Sequence, residues 1–450
     1  PHWPKLSHSL SQDPLRNRNP RAAMRGEISV QATLNDPRGP HPSLAEAGMG
    51  RQPPMQEWLP FPAGSQRLRN DASSARRLWR THPPPFLRGS GLRVITDQQK
   101  EAFADRGYLV VRGALDVATD IEPFSRAYVG YLDALADIYM GETRPGLRAN
   151  FAARPFGERF AICLGCSGGT VLHHLDPSLS VLFPGYTWRG DLPSAQRPEL
   201  FGLISNERLL NAVERLIGPE ITSSPIYHVN LKLPRSYHEL AERAAIATGQ
   251  GSPVVNPLWS FNTGANASWH SDAAFGFPDA WSSRIVNAWI PITPATMQNS
   301  CLVISPGSHK LRPRRGPPPQ SVIEKAVALP VEPGDVIFLD NNLMHNARNN
   351  TTASQVRWAV NLRYLPTGEP TGRPFLPSFI VRSRSAPARE FHDHELWSRM
   401  WRAALEHISK NPIAPNFGHG SGDSGEISAR WHAATRYPTD WLSIGTTMKA

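Results

Sequence analysis

His270 and Asp272 stand two residues apart in Ala267-Ser268-Trp269-His270-Ser271-Asp272, and a third candidate donor, His345, lies far downstream in a strand-like run. In an extended chain, residues two apart leave the same face, so one imidazole and one carboxylate can grip a single ion. His345 would complete the set. Two histidines and one carboxylate on one face of an iron ion leave its other positions open for a co-substrate and dioxygen, the arrangement of non-haem Fe(II) oxygenases.

Arg357 follows His345 and asks for an anion. Val336-Ile337-Phe338-Leu339 and Gln355 to Tyr364 read as the two strands of a hairpin, joined through the polar stretch Arg348-Asn349-Asn350-Thr351-Thr352. In the second strand Val356, Trp358, Val360, Leu362 and Tyr364 alternate with Arg357, Ala359, Asn361 and Arg363. One face is therefore apolar, and the other carries two arginines. The planar fork of an arginine pairs bidentately with a carboxylate, which suits the far end of a dicarboxylate such as 2-oxoglutarate. Arg363 is the reserve anchor. The two arginines are expected roughly 20 Å apart at the rise of a strand, so that only one reaches the co-substrate.

Six stretches, in order, resemble the phytanoyl-CoA dioxygenase family of Fe(II)- and 2-oxoglutarate-dependent enzymes. They are Ile95-Thr96-Asp97-Gln98-Gln99 running into Asp105 to Gly113; Asn206-Glu207-Arg208-Leu209-Leu210 into Leu216-Ile217-Gly218-Pro219; Trp269-His270-Ser271-Asp272; Trp289 through Pro306-Gly307-Ser308-His309; Gly334-Asp335; and His345 to Arg357. The resemblance spans about residues 93–366. It implies a mainly β fold with flanking helices around a double-stranded β-helix (jelly-roll, cupin-like) core, with His270, Asp272 and His345 as iron ligands and Arg357 as the 2-oxoglutarate anchor. It also implies that Lys232, in Asn230-Leu231-Lys232-Leu233-Pro234, lies near the co-substrate. The family binds 2-oxoglutarate through its keto and C1-carboxylate oxygens and couples its decarboxylation to oxidation of a small organic substrate by dioxygen. Related halogenases replace the carboxylate ligand with Ala or Gly, so Asp272 implies hydroxylation. The chain departs from the family at Asn299-Ser300-Cys301, where Asn-Gly is usual.

Other histidine and cysteine clusters have plainer readings. His174-Leu175-Asp176 repeats the His-x-Asp spacing, but it precedes the helix expected over Asn206–Ile217, whereas the family's metal strand follows it. His392-Asp393-His394 leads into a helix. Cys163-Leu164-Gly165-Cys166 lacks the second spaced pair that a structural zinc site needs, and it reads as buried small residues. His309 reads as a loop-stabilising hydrogen bonder, and Trp269 and Trp289 as core or pocket wall.

Among 450 residues the three cysteines are too few for a secreted disulfide framework, and no long apolar run predicts a membrane span. An intracellular, cytoplasmic setting is the expectation. The net charge of +10 is not spread evenly: residues 1–90 hold 13 Lys/Arg, 6 Asp/Glu and 14 of the 44 prolines. Residues 1–92 thus read as a disordered basic tail. The near-neutral remainder lacks the basic surface of a nucleic-acid binder. The domain is expected over 93–410, with its β core at about 226–366 and an extension over 411–450; its partners are a small-molecule substrate and dioxygen. A non-catalytic binding protein on the same scaffold is the alternative.

Thr96 and Gln99 predict a capping box opening a short helix. Residues 117–141, Asn206–Ile217 and 388–410 show helical apolar stripes. Residues 142–204 look irregular, as a substrate lid would. Ser236–Asn256, helical over Tyr237–Thr248, and Leu311–Gln320 are expected to be surface insertions.

Overall fold

The computed structural model describes residues 95–411, apart from 142–144, 149, 183–185, 254–266, 312 and 314–317. The tail expected over 1–92 and the extension over 411–450 thus lie outside the described residues, save Asn411. Two antiparallel sheets form the core. The larger contains β1 (Tyr108–Val111), β2 (Glu220–Ser223), β3 (His228–Lys232), β5 (Val286–Pro291), β8 (Val336–Asp340), β10 (Arg357–Pro366) and β11 (Phe379–Ser383). The smaller runs β4 (Ala267–His270), β9 (His345–Ala347), β6 (Leu302–Ile304), β7 (Val327–Leu329).

From β3 to β10 the chain crosses repeatedly between the sheets, giving β3-β10-β5-β8 opposite β4-β9-β6-β7. This is a double-stranded β-helix. The hairpin expected between β8 and β10 does not form. Both strands instead pair with β5, which lies between them, while β9 sits in the opposite sheet. The second strand begins at Arg357 rather than Gln355.

The alternation read in β10 holds on both sides of the large sheet. Trp358, Val360, Leu362 and Tyr364 join Val286, Ala288, Ile290 and Phe338 in the apolar layer under the helices. The opposite parity, Trp289, Ile337, Leu339 and Ala359, meets Leu302, Ile304 and Leu329 of the small sheet. Period two thus sorts one set of side chains to the helices and the other to the space between sheets.

The helices are α1 (Asp97–Arg106), α2 (Glu122–Met140), α3 (Phe156–Cys166), α4 (Glu207–Ile217), α5 (Arg235–Thr248) and α6 (His394–Lys410), with shorter turns between them. The Thr96/Gln99 capping box opens α1, and Gly107, in the left-handed region at φ 79°, ends it. The described residues of the 142–204 stretch hold more helix than their composition predicts. All of Gly157, Phe160 and Ala161 through Cys166 is buried in α3, and a helix buried all round has no polar stripe from which periodicity can be read. A Cβ on Gly165 would lie 2.2 Å from the carbonyl oxygen of Ala241 in α5. Cys163-Leu164-Gly165-Cys166 is therefore a helix-contact motif, with both thiols free and buried. The same contact corrects the expected surface insertion at Ser236–Asn256, because Ala241, Ala244 and Ala245 of α5 are buried. Leu311, by contrast, is exposed as expected. Among the described residues no helix is long and apolar enough to cross a membrane.

Candidate active site

β4 and β9 run antiparallel with His270 paired to His345, which places the two imidazoles side by side with ring centroids 4.4 Å apart. Ser271 is extended, at φ −104° and ψ 142°, and Asp272 opens a 3₁₀ turn instead of continuing the strand. The carboxylate still turns to the same side. His270 Nε2 and His345 Nε2 lie 3.8 and 3.9 Å from Asp272 Oδ1. Among the described residues these three form the cluster of donor side chains able to hold one metal ion, with donor atoms within 4.8 Å of one another.

Two of the three donors are aimed by named neighbours. His345 Nδ1 donates to the Leu343 carbonyl at 3.0 Å, which leaves the Nε2 lone pair directed at the cluster. Asp272 Oδ2 is engaged by Asn287 Nδ2 and lies 3.1 Å from Arg363 Nη2, so Oδ1 is the oxygen left toward the histidines. Arg363 Nε donates in turn to Asn287 Oδ1 at 2.9 Å. Burial alone would push the Asp272 carboxyl up. The Arg363 guanidinium, with His345 and His270, outweighs it and holds the group well below the usual carboxylate range.

These residues open onto a cavity between the sheets. At one end β10 and β3 pair Arg357 with Lys232, so two cations share a buried wall. Arg357 Nε donates to the Ser300 carbonyl at 3.0 Å, and its guanidinium lies over Trp289, 5.4 Å from the ring centroid. Its Nη1 is buried without a hydrogen-bond partner among the described residues. Such an orphaned cationic donor is costly unless an anion satisfies it. Burial lowers Arg357 to about 10, and burial followed by the neighbouring Arg357 lowers Lys232 to about 7.

Arg363 lines the same cavity as Arg357. The expectation that distance keeps the second arginine out of the site is therefore corrected: it is tied to the candidate metal carboxylate. The usual Asn-Gly of the family has a structural counterpart here, since Ser300 holds φ 84°, a conformation that favours glycine. Its hydroxyl donates to the Arg348 carbonyl. Trp289 forms cavity wall, and His309 Nε2 bonds the Ala104 carbonyl at 3.0 Å. Asp176 and His174 lie outside the His/Asp/His cluster, as does His392, which is exposed beside Glu390. Asp393 caps α6 through Leu396 N.

Sequence reasoning overlooks Asn287, His228 and Asn230, all of which reach this site or its support. The available signal was parity: His228, Asn230 and Lys232 are polar at every second position of a buried strand.

The phytanoyl-CoA dioxygenase (PhyH) family model matches residues 238–359, from α5 through β4 and β9 into β10. The human peroxisomal phytanoyl-CoA dioxygenase (Homo sapiens) is 24% identical over 287 residues, covering 60% of this chain and 69% of that protein. Over these residues the chain is similar to the phytanoyl-CoA dioxygenases. Solved structures similar to it include the non-haem α-ketoglutarate-dependent epimerase SnoN from nogalamycin biosynthesis, 19% identical, with 61% of this chain and 86% of that chain covered at a TM-score of 0.34. HygX from Streptomyces hygroscopicus with nickel and 2-oxoglutarate bound is 14% identical, with 61% and 88% covered at a TM-score of 0.35.

Proposed function

We propose that the protein is an Fe(II)- and 2-oxoglutarate-dependent dioxygenase that hydroxylates or otherwise oxidises a small organic substrate, with His270, Asp272 and His345 as iron ligands. The observation that carries this reading is the convergence of Nε2 of both histidines on Asp272 Oδ1, with the other carboxylate oxygen tied back to Asn287 and Arg363. The donor set fits iron in an oxygenase: two neutral imidazoles and one carboxylate fill one face and leave the rest for ligands. The buried, unsatisfied Nη1 of Arg357 fits the far carboxylate of 2-oxoglutarate.

When bound, iron and 2-oxoglutarate supply dioxygen activation coupled to decarboxylation to succinate. The chain's own residues perform the positioning. Leu343 fixes the His345 tautomer, Arg363 and Asn287 fix the Asp272 rotamer, and Arg357 with Lys232 gives the co-substrate one buried end to seat against. Trp289 and Leu302 wall this end with apolar surface, which limits competing water.

Anaerobic protein given Fe(II) and 2-oxoglutarate should develop the weak visible charge-transfer band of an iron-chelated keto acid. Full retention of that band in the His270→Ala, Asp272→Ala double variant would defeat the assignment.

A further inference from the structure

At the end of β3 opposite Lys232, His228 faces the same cavity and is held from behind by a residue outside the β core. Its Nδ1 lies 3.4 Å from Asp176 Oδ1. Asp176 is itself buried, and its Oδ1 also accepts from Leu179 N at 3.4 Å and Ser178 Oγ at 3.3 Å. An oxygen collecting donors in this way requires an N–H from the imidazole, so the Nδ1–H tautomer is selected. Leu179, whose amide Asp176 caps, lines the cavity beside it.

Burial, only partly offset by Asp176, lowers the His228 pKa, so the ring carries a single ring proton at neutral pH. With that proton on Nδ1, Nε2 is a bare acceptor, and it makes no hydrogen bond among the described residues. Around it, Arg363 is engaged by Asp272 and Asn287, Arg373 donates to the Ser178 carbonyl, and Asn361, opposite His228 on β10, is neutral, its Oδ1 without a hydrogen-bond partner among the described residues. The cavity therefore has a cationic end at Arg357 and Lys232 and, four residues along β3, a neutral hydrogen-bond acceptor.

We propose that His228, oriented by Asp176, is the substrate-recognition residue of this site, accepting through Nε2 a hydrogen bond from a hydroxyl or N–H group of a small, polar, uncharged substrate moiety. This rests on the oxygenase reading only in calling the ligand a substrate. A pure hydrocarbon leaves the acceptor unsatisfied, and a carboxylate meets a lone pair. Asp176 acts as a positioning residue, because it reaches the cavity only through the ring it holds.

The test needs neither iron nor turnover, so its failure is separate from loss of the charge-transfer band. In the full chain labelled with ¹⁵N-histidine, the His228 ring signals are identified by their absence in His228→Leu. They should report protonated Nδ1 and bare Nε2. Benzyl alcohol should move the Nε2 signal and bind about tenfold more tightly than benzyl methyl ether, the ratio that one net hydrogen bond sets. In Asp176→Asn the side-chain amide can donate to Nδ1, so the ring proton should move to Nε2 and the preference for the alcohol should vanish or reverse. In His228→Leu the preference should vanish, a readout that does not depend on Asp176→Asn folding. A protonated Nε2 in the unsubstituted protein, equal binding of the two probes, or an alcohol preference that survives in His228→Leu would each overturn the proposal.

Discussion

Arg357 and Arg363 leave the same face of the same strand, both about 2% exposed, yet their surroundings are opposite. Arg363 has spent its donors on the protein: Asp272 and Asn287 take them. Arg357 gives one donor to a backbone carbonyl and keeps Nη1 buried without a partner among the described residues. The lesson is that burial and charge do not identify a ligand-binding arginine. What sets Arg357 apart is an unfilled donor on a residue that lines the cavity, a group that natural interiors rarely leave unsatisfied without reason.

The contrast is broken most severely at Arg363. Arg363→Leu would strand the buried Asp272 charge, which should cost about 3–5 kcal/mol in urea unfolding and weaken Mn(II) binding by roughly 10–100-fold. Mn(II) affinity within twofold of the parent would show that Asp272 needs no such support. At the other end, Arg357→Lys keeps the charge but loses the fork. The 2-oxoglutarate dissociation constant should rise about tenfold or more with Mn(II) affinity unchanged, and equal losses of both would merge the two roles that the contrast separates.

Lys232 sharpens the comparison through pH. Its folded pKa of about 7 lies below the ordinary lysine value, so it is cationic below that pH and neutral above it. Affinity for the 2-oxoglutarate dianion should therefore fall as pH rises through about 7, by roughly fivefold for a loss of ~1 kcal/mol. Calorimetry on Lys232→Met should give a flat profile, and a slope that persists would place the titrating group elsewhere. The smallest effect is expected at Ser300→Gly. Relief of a left-handed serine, worth about 1 kcal/mol, opposes loss of the bond from its hydroxyl to Arg348. Net stability should move by less than about 1 kcal/mol, with 2-oxoglutarate affinity retained, since the carbonyl that holds Arg357 belongs to the backbone.

Much of this site is legible in the chain because strand parity is local. His270 and Asp272, and the polar face of Arg357, Asn361 and Arg363, follow from counting by two. Partnership across the fold is not local. Nothing between Leu339 and Arg357 reveals that β5, far upstream, will insert between β8 and β10, and this is why the expected hairpin fails. Nor could spacing show that Arg363 meets Asp272, since that contact depends on Asn287 arriving from β5. The helix Phe156–Cys166 was hidden for a different reason: complete burial erases amphipathic periodicity.

The pairing of β3 with β10 has a consequence for what the cavity can hold. His228 and Lys232 project from one strand four residues apart, roughly 13 Å at the usual rise, and β10 locks that strand in register. The backbone is thus a ruler laid along the cavity. Its graduations cannot be stretched without breaking a ladder of main-chain bonds. A change in the size of molecule accepted must come from side chains on these marks, or from the Leu172–Ser180 segment that closes the His228 end.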